Sequence, residues 1–190
     1  RIGAGVTSAV FACGGKNAEL VVPCRTIGAM APPIGTITAF WRGRVLTAQG
    51  NVLWAARPLA PHLADWRDFK PMASPITAIQ PVDDGIYVGT TTDLIFLAGV
   101  RWDELSCRAT ERGPVILGSG VAVLGDRVKL DNGTGAGEAM MCIAGGEVVA
   151  GFAGGRTTSL TENRFRTEVA EVSATFREVD GIPQYVAVPQ

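Results

Sequence analysis

A single histidine, His62, no Cys-x-x-Cys pair and no unbroken apolar run of about 18 residues set the first limits on this 190-residue chain. A membrane-spanning helix is excluded on length. The four cysteines, Cys13, Cys24, Cys107 and Cys142, lie far apart, so no zinc site of adjacent thiolates is expected. They read as small buried hydrophobes, with a Cys13–Cys24 bridge across a hairpin as the other option. Net field is also lacking. Seventeen basic residues face eighteen acidic ones, and the arginines (Arg42, Arg44, Arg57, Arg67, Arg101, Arg108, Arg156, Arg164 and Arg166 among them) are scattered. Nothing there draws in a polyanion, and nucleic-acid binding becomes a minor option.

Catalytic groupings are sparse as well. His62 lies in the Pro-rich segment Pro58-Leu59-Ala60-Pro61-His62, with Asp65 and Ser74 nearby in sequence. Ser74 occupies no nucleophile-elbow motif, and neighbours along a loop do not make a triad. Two adjacent acidic pairs occur. Asp83-Asp84, followed by Gly85, reads as turn chemistry, and Asp103-Glu104 would point to opposite faces of a strand. Neither offers the facing carboxylates that glycoside cleavage needs. The run Asp131 to Glu138 (DNGTGAGE) lacks the Lys-Ser/Thr of a phosphate loop and the ligand register of a calcium loop, so a hairpin or connecting loop is expected. No enzyme, cofactor or metal is expected.

What the sequence has is short apolar runs rich in Val, Ile, Thr and aromatics, each ended by Gly, Asp-Gly, Asn or Pro. That pattern predicts an all-β fold of many short strands, among them Val6 to Cys13, Glu19 to Val22, Ile37 to Trp41, Val52 to Ala55, Ile76 to Gln80, Ile86 to Gly89, Val121 to Leu124, Met140 to Ala144, Val172 to Arg177 and Tyr185 to Val188. The best helical segment is His62 to Phe69, with Pro61 at a favourable start and a structured loop as the other reading. A single domain is favoured on length.

Four stretches align by eye, at 37–56, 76–99, 139–162 and 172–190. Each begins with a strand, passes a tight turn (Arg42-Gly43, Asp84-Gly85, Gly145-Gly146, Asp180-Gly181) and continues into a second strand. The first two start 39 residues apart, near the period of four-stranded propeller blades, and the third starts 63 residues later. The expectation is antiparallel meanders in a propeller-like arrangement, with a β-sandwich as the competitor. Four meanders make part of a ring, which upstream chain or a partner subunit would complete. The start at Arg1 reads as an excerpt or a processed product.

From Gly43 to Gly99 the elements Gly43-Arg44-Val45, Gly50-Asn51, the Pro58 to Phe69 loop, Ile76-Thr77, Gly85 to Thr90 and Leu97-Ala98-Gly99 resemble a blade pattern of tailed-bacteriophage virion proteins. The resemblance covers about a third of the chain. It implies a tail component of nozzle, hub or fibre-attachment type, located in the virion, oligomeric, with other tail proteins as partners and no catalytic residue set. The candidate contact residues are Trp54, Arg57, Trp66, Arg67 and Phe69, because tryptophan and arginine most often anchor interfaces. The competing expectation is that Trp66 folds back to plug the meander's core. A carbohydrate-binding or glycan-cleaving β domain, with the aromatics as a sugar platform, is the alternative from another class; a soluble propeller that scaffolds other proteins is a third.

Overall fold

The computed structural model describes residues 29–130, 133–162 and 164–190. Every named strand pairs antiparallel, and among these residues the only helical elements are short 3₁₀ turns. None is long and apolar enough to cross a membrane. The expected strands Val6 to Cys13 and Glu19 to Val22, and the Cys13–Cys24 option, lie outside the described residues. The chain divides into two compact units, Arg1–Ala73 and Ser74–Gln190.

In the first unit, β1 (Ala29–Met30), β2 (Ile37–Trp41), β3 (Arg44–Gln49), β4 (Val52–Arg57) and β5 (Ala60–Pro71) form one sheet in the order β1-β5-β4-β3-β2. The β2–β3 turn is two residues, Arg42 and Gly43, both at positive φ (45° and 79°). This geometry matches the twist of the flanking strands, and glycine adopts it freely. Period-two alternation then divides the side chains. Trp41, Leu46, Ala48, Leu53 and Ala55 share one face and are buried. Phe40, Thr47, Trp54 and Phe69 share the other.

The segment from His62 to Phe69 is neither helix nor loop. It belongs to β5, a twelve-residue strand that pairs β4 on one side and β1 on the other. Its alternation is broken because Ala56 pairs Ala64 while Trp54 pairs Phe69, so residues 65–68 stand opposite Ala55 alone. Such a bulge bends the strand and re-aims its side chains, which is why no strand period is visible there.

The second unit begins with β6 (Ile76–Val82), β7 (Gly85–Thr90), β8 (Leu94–Ala98) and β9 (Ser106–Arg112), a four-stranded meander in sequence order. After it come β10 (Val121–Leu124), the small hairpin β11 (Lys129–Leu130) with β12 (Gly133–Thr134), and then β13 (Glu138–Ala144), β14 (Glu147–Gly151) and β15 (Thr157–Ser159). Strands β10, β13, β14 and β15 make a second four-stranded sheet. The third meander therefore starts at Val121, ahead of the expected 139, because the β11–β12 hairpin separates its first strand from the rest. The chain ends in the hairpin β16 (Val172–Val179) and β17 (Ile182–Pro189).

The middle sheet is covered on both sides. Met140, Cys142, Ala144 and Val149 pack with Ala78, Val82, Tyr87, Leu94 and Phe96 of the preceding sheet. Ala139, Met141 and Ala150 face the other way, with Val123 and Phe152, toward Phe176 and Tyr185 of the final hairpin. A strand buried on both faces needs no polar alternation, which explains the continuous apolar run of β13.

Close approach fixes several glycines. A Cβ at Gly151 would lie 2.7 Å from Tyr87 Cζ, and one at Gly85 would lie 2.4 Å from the Leu97 carbonyl oxygen. The first turn of this unit is accordingly Asp83-Asp84, one residue earlier than Asp84-Gly85, with Gly85 already paired to Val82.

Strand β17 holds two prolines that its pairing makes tolerable. Val172 and Ala174 send their N–H groups away from β17, to the carbonyls of Leu117 and Gly118. Their partners Pro189 and Ala187 then face away from β16, and the same parity carries to Tyr185 and Pro183. Both proline nitrogens thus sit on the free edge, where no donor is needed and where a missing donor discourages strand addition.

Candidate functional site

The site grows from the bulge in β5. Arg57 donates to the Asp65 carboxylate (3.0 Å), and Arg44 donates to Asp68 (2.6 Å) and to the Ala56 carbonyl (3.2 Å). These half-buried pairs tether both ends of the bulge. Between them Trp66 is carried outward and is 59% exposed, with the Arg67 guanidinium carbon 4.5 Å from its ring centroid. A cation over an indole face is attracted by about 0.5–1 kcal/mol at an exposed site. Trp66 therefore does not plug the core.

Next to it, Trp54 and Phe69 face each other across β4 and β5, with ring centroids 5.2 Å apart and planes inclined at 41°. Trp54 is half-buried, and its indole N–H is buried without an acceptor among the described residues. Phe69 is exposed. The structure brings Trp54, Arg57, Trp66, Arg67 and Phe69 onto two neighbouring strands of one sheet.

Sequence reasoning did not single out two other exposed apolar side chains of this unit. Phe40 lies on the same face as Trp54 and Phe69 and is 69% exposed. Leu59, in the β4–β5 turn, is 88% exposed at φ 56°, and its N–H donates to the Gly43 carbonyl (2.7 Å). A bulky residue held in the left-handed region is strained, and a fully exposed leucine there contributes no burial in return. The available signal was Pro58-Leu59 standing where a turn would favour glycine.

Of the groups weighed for catalysis, His62 is half-buried on β5 and the others have partners. Asp65 is bound by Arg57, and the Ser74 hydroxyl is 2.8 Å from that of Thr92. Asp103 and Glu104 sit on a 3₁₀ turn, not a strand, and both pair with Arg101. The Asp83-Asp84 turn does more than bend the chain. Asp84 accepts the Gly154 N–H with both carboxylate oxygens (2.8 and 3.0 Å), and Asp83 accepts the Glu138 N–H (3.3 Å). The turn of one sheet thereby clamps the loops of the next. No three His, Cys, Asp or Glu side chains among the described residues gather closely enough to hold a metal ion.

The second unit carries an open cleft of about 650 Å³ lined mainly by apolar groups, Val115, Ile116, Leu117 and Val169 among them, and by no aromatic residue. Desolvation pushes the buried Cys142 thiol up to about 12 and holds the Tyr87 and Tyr185 phenols well above their ordinary range, whereas Cys107, expected as a buried hydrophobe, is a free thiol exposed on β9.

Charge is segregated between the units. Residues 1–73 hold eight Lys/Arg and three Asp/Glu, net +5, whereas residues 74–190 hold nine and fifteen, net −6. The near-zero total conceals a basic unit and an acidic one. No protein-family model matches the chain, and no curated protein sequence matches it.

Proposed function

We propose that this chain is a non-enzymatic structural component of a tailed-phage virion, a rigid β platform on which neighbouring subunits dock through the Trp66–Arg67 surface. The observation that carries the reading is the exposure of this aromatic–arginine pair on a tethered bulge of a strand. A tethered backbone lowers the ordering cost on binding, and Trp and Arg are the residue types that dominate interface energies.

The β platform is read as propeller-like. Four-stranded antiparallel meanders begin at Ile37, Ile76 and Val121, and a two-stranded one begins at Val172, giving spacings of 39, 45 and 51 residues. Both the spacing and the coverage of the middle sheet on its two faces support stacked blades. The resemblance of Gly43 to Gly99 to virion blade patterns supplies the setting, a tail with other tail proteins as partners.

A glycan site is favoured less. A sugar platform needs an open aromatic face, and Arg67 occupies one face of Trp66, while the cleft of the second unit has no aromatic lining.

Quantitative peptide analysis of purified virions of the encoding phage tests the reading. The expected result is a fixed copy number per particle that remains with isolated tails. Absence of the chain from purified particles, together with its hydrolysis or capture of glycans, would overturn it.

A further inference from the structure

We propose that the occupant of the Trp66 surface is a second copy of this chain, bound head to tail, with the basic unit of one copy seated on the final hairpin of the acidic unit of the next. This rests on the reading of the Trp66 surface as a docking site. Charge selects the mode of pairing. Contact of first unit with first unit would bring +5 against +5, and second with second −6 against −6, whereas contact of the first unit of one copy with the second unit of another joins opposite signs.

The final hairpin offers the complementary surface. Its inner face, with Phe176 and Tyr185, packs on the middle sheet, and the Tyr185 hydroxyl donates to the Ser119 carbonyl (2.7 Å). Its outer face carries Val179, Ile182, Val186 and Val188, of which Ile182 and Val188 are 60% and 54% exposed, together with Ser173, Thr175 and an Arg177 whose guanidinium donates to Gln184 (3.0 Å). Two strands stand here, against four in each of the two larger sheets of this unit. The apolar part nearest the turn, Val179 and Ile182, adjoins the exposed acid Asp180, and Glu171 stands exposed at the other end. Neither core cluster among the described residues of this unit includes Val179, Ile182, Val186 or Val188.

The edge of the hairpin is blunted by Pro183 and Pro189, so association through the face is favoured over strand addition. In this contact Trp66 covers Ile182, and Arg67 meets Asp180. No carboxylate among the described residues pairs with Arg67, which leaves its charge available to a partner.

Sedimentation velocity of the full chain over a range of concentration and salt tests this, with Arg67→Glu, Asp180→Arg and their equimolar mixture. Asp180→Arg is compatible with the backbone, because Arg42 holds the equivalent position, φ 45° against 53°, in the Arg42-Gly43 turn. Wild type is expected to assemble with concentration and to weaken with salt. Each single variant should assemble at least about tenfold more weakly, and the mixture should recover heterotypic pairs.

A monomer at all concentrations, assembly indifferent to salt, or a mixture that recovers nothing would overturn the proposal. Cross-linking from position 66 separates the two readings. If wild type stays monomeric yet position 66 cross-links another tail protein, the second-copy inference fails and the docking reading stands. If position 66 meets no neighbour, both fail.

Discussion

Replacing Tyr87 by Phe removes one oxygen atom from the centre of the second unit and should loosen that unit selectively. The Tyr87 hydroxyl is shared between the carbonyls of Phe152 (2.6 Å) and Arg156 (2.9 Å), and the residue is wholly buried. It thereby ties β7 to the segment that leads from β14 into β15. The ring itself is held independently: it packs against Phe96 at a centroid distance of 4.8 Å and fills the space above Gly151. Phenylalanine keeps those contacts, so the loss reduces to a hydrogen bond and the desolvation of carbonyls left without that donor, about 2 kcal/mol. Hydrogen exchange of the β7 and β14 amides reads this unit alone, and it should accelerate about thirtyfold in Tyr87→Phe while β3 and β4 are unchanged. Acceleration below about twofold would show that the hydroxyl adds nothing the ring does not already supply.

Alkaline pH should destabilise the second unit more steeply than the first. Both tyrosines hold their protons tighter folded than unfolded, so their contribution is complete below about pH 10 and is lost as pH rises toward their folded values. The slope is about 2.7 kcal/mol per pH unit for the pair, with Cys142 adding to it from about pH 9. Urea midpoints measured across this range check the slope, and a flat profile refutes it. Leu59→Gly should stabilise the first unit by about 1 kcal/mol, since glycine adopts positive φ without strain. Thermal melts test that gain. Pro183→Thr with Pro189→Thr should restore two donors to the β17 edge and cause concentration-dependent aggregation, visible by light scattering; unchanged scattering would contradict the assigned pairing.

Turn chemistry was the most legible part of the sequence. Arg42-Gly43, Gly145-Gly146 and Asp180-Gly181 each form a two-residue hairpin turn with both residues at positive φ. Strand β2 has the expected limits, and the all-β antiparallel class follows from the same local signals. Long-range placement was less visible. Strand β5 was obscured by Pro58, Pro61 and a bulge that breaks its period. The third meander was misaligned because its opening strand is set apart by the β11–β12 hairpin. At the site, Trp54, Arg57, Trp66, Arg67 and Phe69 could be named from residue type, but the exposure of Trp66 depends on that bulge, and Phe40 joins only through the pairing of β2 with β3. The clamp made by Asp83 and Asp84 and the charge division between the units also depend on which segments fold together.

The docking role is tested most directly by a photo-crosslinking amino acid placed at position 66 in assembled particles, with position 124 as the control because Leu124 is equally exposed on the second unit. A crosslink from position 66 to a defined virion neighbour, another copy of the chain included, with little from position 124, is the predicted result. Equal or negligible yield from both positions would contradict the account.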